Sequence, residues 1–89
     1  MSEVLEQMAA SVIEGDVGAM QDLTEEALDE GVSAQEILND GLMVGMNHVG
    51  KEFKAGNMFV PEVLRSAKAM KESMVLLEPM LASGEAQAT

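Results

Sequence analysis
The stretch GLMVGMNHVGKEFKAGNMFVPEV, residues 41–63, joins a glycine-notched apolar helix to an apolar turn and an immediate helix start. Phe53, Met58, Phe59 and Val60 surround that turn, so an oily lip stands where small proteins usually place polar residues. Such a lip calls for something to cover it. N-terminal to it, Ser33 and Glu36 have the spacing of a capping box and open a helix. From there Ile37, Leu38, Leu42, Met46, Val49 and Phe53 recur at helical intervals and predict one apolar stripe reaching about Lys54. Gly41, Gly45 and Gly50 lie beside that stripe. Each glycine inside a helix costs on the order of 1 kcal/mol relative to alanine, so close approach of a neighbouring helix or a bound group is the expected compensation.

The rest of the chain is read the same way. A first helix is expected from about Ser2 to Glu14, with Val4, Leu5, Met8, Val12 and Ile13 on one face, ended by Gly15. Asp16 is positioned to cap a second helix that turns Val17, Met20, Leu23, Ala27 and Leu28 inward and stops at Gly31. Ala55, Gly56 and Asn57 form the turn after the third helix, and Pro61 sits in the first turn of a fourth, where its missing N–H does no harm. Val60, Val63, Leu64, Ala67, Met70, Met74, Leu77 and Leu81 predict the inner face of this long helix, with Pro79 as its terminator or a slight kink. No strand-like alternation occurs, so the fold class is all-α, an antiparallel four-helix bundle spanning residues 1–81. Residues 82–89, ASGEAQAT, read as a flexible small-residue linker.

Composition narrows the function. Eighty-nine residues make one small domain of modest stability, with 47% apolar residues and a net charge of −11. All five basic residues (Lys51, Lys54, Arg65, Lys68, Lys71) follow residue 50, while the first fifty residues hold eleven carboxylates and no Lys or Arg. That field disfavours nucleic acid and anionic membrane surfaces as partners, and predicts salt-sensitive folding. With no cysteine, no signal peptide and no apolar run long enough to span a membrane, a cytoplasmic protein is expected.

No self-sufficient chemistry emerges from the side chains. His48 is the single histidine, with Glu52 four residues on; lacking a second nitrogen or any sulfur ligand, it reads as a structural or solvent-exposed residue and not a metal site. The carboxylates scatter over solvent faces, so neither a catalytic pair nor any catalytic residue is expected. No segment supplies the ligand positions of an EF-hand, and Asp40-Gly41-Leu42 lacks the serine that an acyl carrier needs. Most of the nine methionines, among them Met20, Met46, Met70 and Met74, fall on inward stripes as core filler. Met58 and Phe59 are open to two readings, a hydrophobic staple on the fourth helix or a partner contact.

Three runs carry a family resemblance: Gly45-Met-Asn-x-Val-Gly-x-x-Phe53, then Met58-Phe59-Val60-Pro61-Glu62-Val63, then Ala67-x-Ala-Met-Lys71. Residues 1–81 resemble the helical cap domain of the cobalamin-binding modules of methionine synthase and of small corrinoid methyltransferase proteins. The resemblance implies an N-terminal cap that shields the upper axial face of a cobalamin carrying a methyl group between methyltransferases. It places the cofactor contacts on Phe53, Val60 and Val63, with Val60 where methionine synthase has leucine and His48 where an apolar residue is common. The cobalt ligand of that family, a histidine in Asp-x-His-x-x-Gly, belongs to a following α/β domain and does not occur here. Cobalamin is therefore expected only together with that domain, the linker at 82–89 leading toward it. Implied partners are the α/β domain of the same protein and methyltransferase subunits, and starting at Met1 favours a small shuttle protein. The alternative is a free-standing acidic helical interaction module or dimer that self-associates through the lip.

Overall fold
A computed structural model of the chain describes residues 3–83. Helix α1 (Glu3–Glu14) buries Val4, Leu5, Met8 and Val12 as expected from the sequence, and Ala9 with them, while Ile13, expected on the same face, is only half-buried. Ser2, expected to begin this helix, and the linker residues beyond Ser83 lie outside the described residues. At the end of α1 the Gly15 N–H donates to the Val12 carbonyl at 3.0 Å and the Asp16 N–H to the Ser11 carbonyl at 2.9 Å. That pair of bonds is a Schellman closure, and it needs the left-handed φ of +71° that Gly15 adopts. The same closure, with Gly31 at φ +90°, ends the next helix.

Helix α2 (Met20–Asp29) does not start at Asp16. A single 3-10 turn (Val17–Ala19) intervenes; the Asp16 side chain makes no capping bond, and only its backbone carbonyl accepts, from the Ala19 N–H at 3.2 Å. Ser33 does cap: its Oγ accepts from the Glu36 N–H at 3.1 Å. The rod that follows is one unit of three parts, α3 (Ala34–Ile37), a π-helical stretch (Leu38–Leu42) and α4 (Met43–Lys54). The sequence predicts an unbroken α-helix here. The π stretch adds a residue to one turn, so the buried positions step from Ile37 to Gly41 and Leu42 before resuming at Gly45 and Val49.

Counting that rod once, α1, α2, the rod and α5 (Val60–Ala82) form a four-helix bundle with no strand among the described residues. α1 packs against the other three, and α5 against both α2 and α4. Gly41 and Gly45 let the rod press onto α1: a Cβ on Gly45 would stand 2.8 Å from the Ala9 carbonyl oxygen and 2.9 Å from Val12 Cβ. The expected compensation for glycine in a helix is therefore real at these two positions. Met8, Val12, Met20, Ile37, Leu42, Val49 and Leu77 fill the centre.

The inner face of α5 differs from expectation. It is built from Ser66, Ala69, Ser73 and Leu77, with Val63, Met70, Met74 and Leu81 at its margins, while Val60, Leu64 and Ala67 are exposed. Small residues let α5 sit close to its neighbours, and the hydroxyls find partners there. Thr24 Oγ1 donates to the Met20 carbonyl at 2.6 Å and pairs with Ser73 Oγ at 2.5 Å, while Ser66 Oγ donates to the Ile13 carbonyl at 3.4 Å. Thr24 has one hydroxyl proton, so with that proton on Met20 it is Ser73 that donates in the shared bond. Pro79 does not end the helix, which runs on to Ala82. A proline here removes the bond to the carbonyl of Val75, an exposed residue whose carbonyl water can serve.

Candidate functional site
The apolar lip survives folding. Phe53 closes α4 and is 47% exposed, Val60 opens α5 at 56%, and Phe59 between them reaches 69%. Val63, one turn into α5, is half-buried. Three of the large hydrophobic side chains that the bundle leaves in water thus belong to one turn and the two helix ends it joins. Leu64, which the periodicity turns inward, joins them at 63% exposure.

Backbone bonds hold this turn firmly. Gly56, at φ +85°, closes α4 as its N–H donates to the Phe53 carbonyl at 3.1 Å, and the Asn57 N–H donates to the Glu52 carbonyl at 2.8 Å. Glu52 binds the turn a second time, its Oε2 accepting from Asn57 Nδ2 at 3.0 Å. On the far side Glu62 Oε1 accepts from the Phe59 N–H at 2.9 Å, and the Phe59 carbonyl accepts from Glu62 and Val63. Each end of the lip is therefore tied by a carboxylate that bonds the turn. Glu52 escaped the sequence reading, where it figured only as a neighbour of His48. The sequence signal was Asn57, a side-chain donor placed just past a helix end that closes on the Glu52 carbonyl.

Met58 and Val63 occupy the N′ and N4 positions of α5, the two places of a hydrophobic staple, and both are half-buried. Phe59, the N-cap residue, stays in water. The two open readings thus divide between the residues: Met58 fits the staple and Phe59 is free for contact.

His48 lies on a different face and is solvent-exposed, with Nε2 3.7 Å from Glu52 Oε1. Among the described residues no three His, Cys, Asp or Glu side chains gather as a metal site. Phe53, Val60 and Val63 carry no ionisable group, so what this surface offers is apolar cover, without proton transfer or ligation. Its setting is of mixed charge, with Lys51 and Lys54 beside Phe53, Glu52 and Glu62 on the turn, and the exposed Arg65, Lys68 and Lys71 farther along α5. No helix among the described residues is long and apolar enough to cross a membrane.

Comparison with known proteins gives the surface a context. The family model of a B12 binding domain matches residues 4–78. Monomethylamine corrinoid protein 1 of Methanosarcina mazei is 35% identical over 79 residues, which is 89% of this chain and 36% of that protein. A corrinoid protein of Desulfitobacterium hafniense is also 35% identical over 79 residues, covering 89% and 37% of the two chains. The solved structure of the Methanosarcina barkeri monomethylamine corrinoid protein superposes with a TM-score of 0.86 at 37% identity, over 89% of this chain and 37% of that one. The chain thus spans little more than a third of the length of these relatives.

Proposed function
Since this chain belongs to the B12 binding domain family, we propose that it is the helical cap of a corrinoid methyl carrier, laid over the upper axial face of the cofactor. The observation that carries this reading is the apolar surface of Phe53 and Val60, exposed beside a turn whose backbone is held from both sides, with the half-buried Val63 next to them. The residues fit the group: an apolar wall suits one face of a macrocycle, and the side chains of Phe53, Val60 and Val63 offer no donor atom to cobalt. When bound, cobalamin supplies a cobalt that accepts and gives up a methyl group.

The work of this chain is exclusion. Phe53, Val60 and Val63 keep water and stray electrophiles from the methyl-bearing face, where desolvation limits side reactions. Methyl transfer needs that same face open, so the bundle must swing away as a rigid body between transfers. Partners follow from this role: an α/β cobalamin-binding domain and the methyltransferases that exchange the methyl group.

The magnitudes say that the cap alone holds the cofactor weakly. Full burial of three such side chains gives about 1.5–3 kcal/mol each, and they are already about half buried, so docking yields roughly 2–4 kcal/mol in total. Association costs about 4–15 kcal/mol, which this contact does not offset. A tight complex of the 89-residue chain with free methylcobalamin in a titration would overturn the reading. The direct test is Phe53→Ala in a fusion of this chain to the part of the Methanosarcina barkeri monomethylamine corrinoid protein that it does not cover. Faster photolysis and oxidation of the bound cofactor are expected; rates equal to those of the unsubstituted fusion would show that Phe53 shields nothing.

A further inference from the structure
Three glycines interrupt the rod, and the structure accounts for two of them. A Cβ on Gly41 would meet Leu5 Cδ2 at 3.3 Å and one on Gly45 would meet the Ala9 carbonyl at 2.8 Å, whereas a Cβ on Gly50 would meet nothing within 4 Å. Gly50 is exposed and its φ is not in the left-handed region, so neither packing nor backbone conformation in this chain asks for glycine. Glycine in such a position is a poor helix former, and the bundle would gain from alanine.

Its surroundings explain what the gap serves. Met43, Met46, Gly50 and Phe53 follow one another at steps of three, four and three residues, one stripe along the flank of α4, with Met46 turned toward the core. Gly50 is exposed between Met46 and Phe53 on one side, half-buried and 47% exposed, and the exposed Asn47 and Lys54 on the other, so it is a low point at the margin of the apolar lip. It precedes Phe53 by three residues, about 4.5 Å along the helix axis. We infer that Gly50 is a docking notch in which the edge of the corrin ring comes down against the α4 backbone while Phe53, Val60 and Val63 cover its centre. This inference rests on the cap reading above and extends it. A macrocycle is wider than a patch of three side chains, and its rim of methyl and amide arms must pass over the helix that carries Phe53. Gly50 is then a positioning residue, setting how closely the cap can close.

The test separates the notch from the cap. In the 89-residue chain, Gly50→Ala is expected to raise the melting temperature by about 2–8 °C through helix propensity. In the fusion loaded with methylcobalamin, Gly50→Leu fills the notch and should lower the closing equilibrium about tenfold, raising the photolysis rate by up to the same factor. Gly50→Ala should show the same effect in smaller measure. If Gly50→Leu leaves photolysis unchanged while Phe53→Ala speeds it, the notch is wrong and the cap stands. If neither changes it, both are wrong. A melting temperature that falls on Gly50→Ala would mean that the chain itself needs this glycine, and would also overturn the inference.

Discussion
Gly45→Ala is the sharpest test of how the bundle is put together. Ordinary van der Waals contact begins near 3.4 Å, yet the added Cβ would lie 2.8 Å from the Ala9 carbonyl oxygen, 2.9 Å from Val12 Cβ and 3.0 Å from Val12 Cγ1. Two of these obstacles are a backbone atom and a Cβ, which no rotamer change moves, so α1 itself has to retreat by several tenths of an ångström. Overpacking of this kind costs about 1–3 kcal/mol, against a propensity gain of about 0.5–1 kcal/mol from replacing glycine by alanine. Gly50→Ala, in the same rod but with open space beside it, receives the gain alone. The two variants should therefore differ by about 1–3 kcal/mol, the overpacking cost itself. In a domain of this size that is roughly 4–24 °C in melting temperature. Gly41→Ala falls between them, because Leu5 Cδ2 at 3.3 Å is the end of a side chain that can turn aside. Urea titrations of the three variants, compared at equal m-value, give the order directly. Gly45→Ala as stable as Gly50→Ala would refute the close approach of α1 and α4.

Two further outcomes follow from the structure. Ser73→Ala should cost about 0.5–1.5 kcal/mol, and Thr24→Val with Ser73→Ala together should cost less than the sum of the two single changes, with a coupling of at least about 0.5 kcal/mol in a urea double-mutant cycle; additive effects would deny the buried pair. The charge of −11, with all eleven carboxylates of the first fifty residues free of nearby cations in sequence, predicts a melting temperature that climbs with added sodium chloride. The rise should fall mostly between about 0.01 and 0.15 M, where the screening length shrinks from about 30 to about 8 Å, and a flat profile would show that this repulsion does not bear on folding.

What the sequence by itself determined is what lies within one segment. The helix ends at Gly15, Gly31 and Ser33 were legible because each is closed by its own few residues. The inner face of α1 was legible because Val4, Leu5, Met8 and Val12 have no apolar rivals on the opposite side. The lip was legible too, since a turn carrying Met58, Phe59 and Val60 directly before Pro61 leaves little chain to cover them. The family match then placed this surface in a B12 binding domain.

Only the tertiary structure decided how the helices face one another. Periodicity turned Leu64 inward, yet α5 buries Ser66 and Ser73, whose partners Ile13 and Thr24 lie 53 and 49 residues away. The π stretch at Leu38–Leu42 has no local signature either; it brings Gly41 against Leu5 and Met8 of α1. Gly45 and Gly50 are the same residue in the same helix, and what separates a tight helix crossing from an open notch is whether α1 passes beside them. A hydrophobic pattern belongs to one helix, but burial belongs to a pair. The free energy that selects a face is gained only when a second surface, from a distant part of the chain, displaces its water.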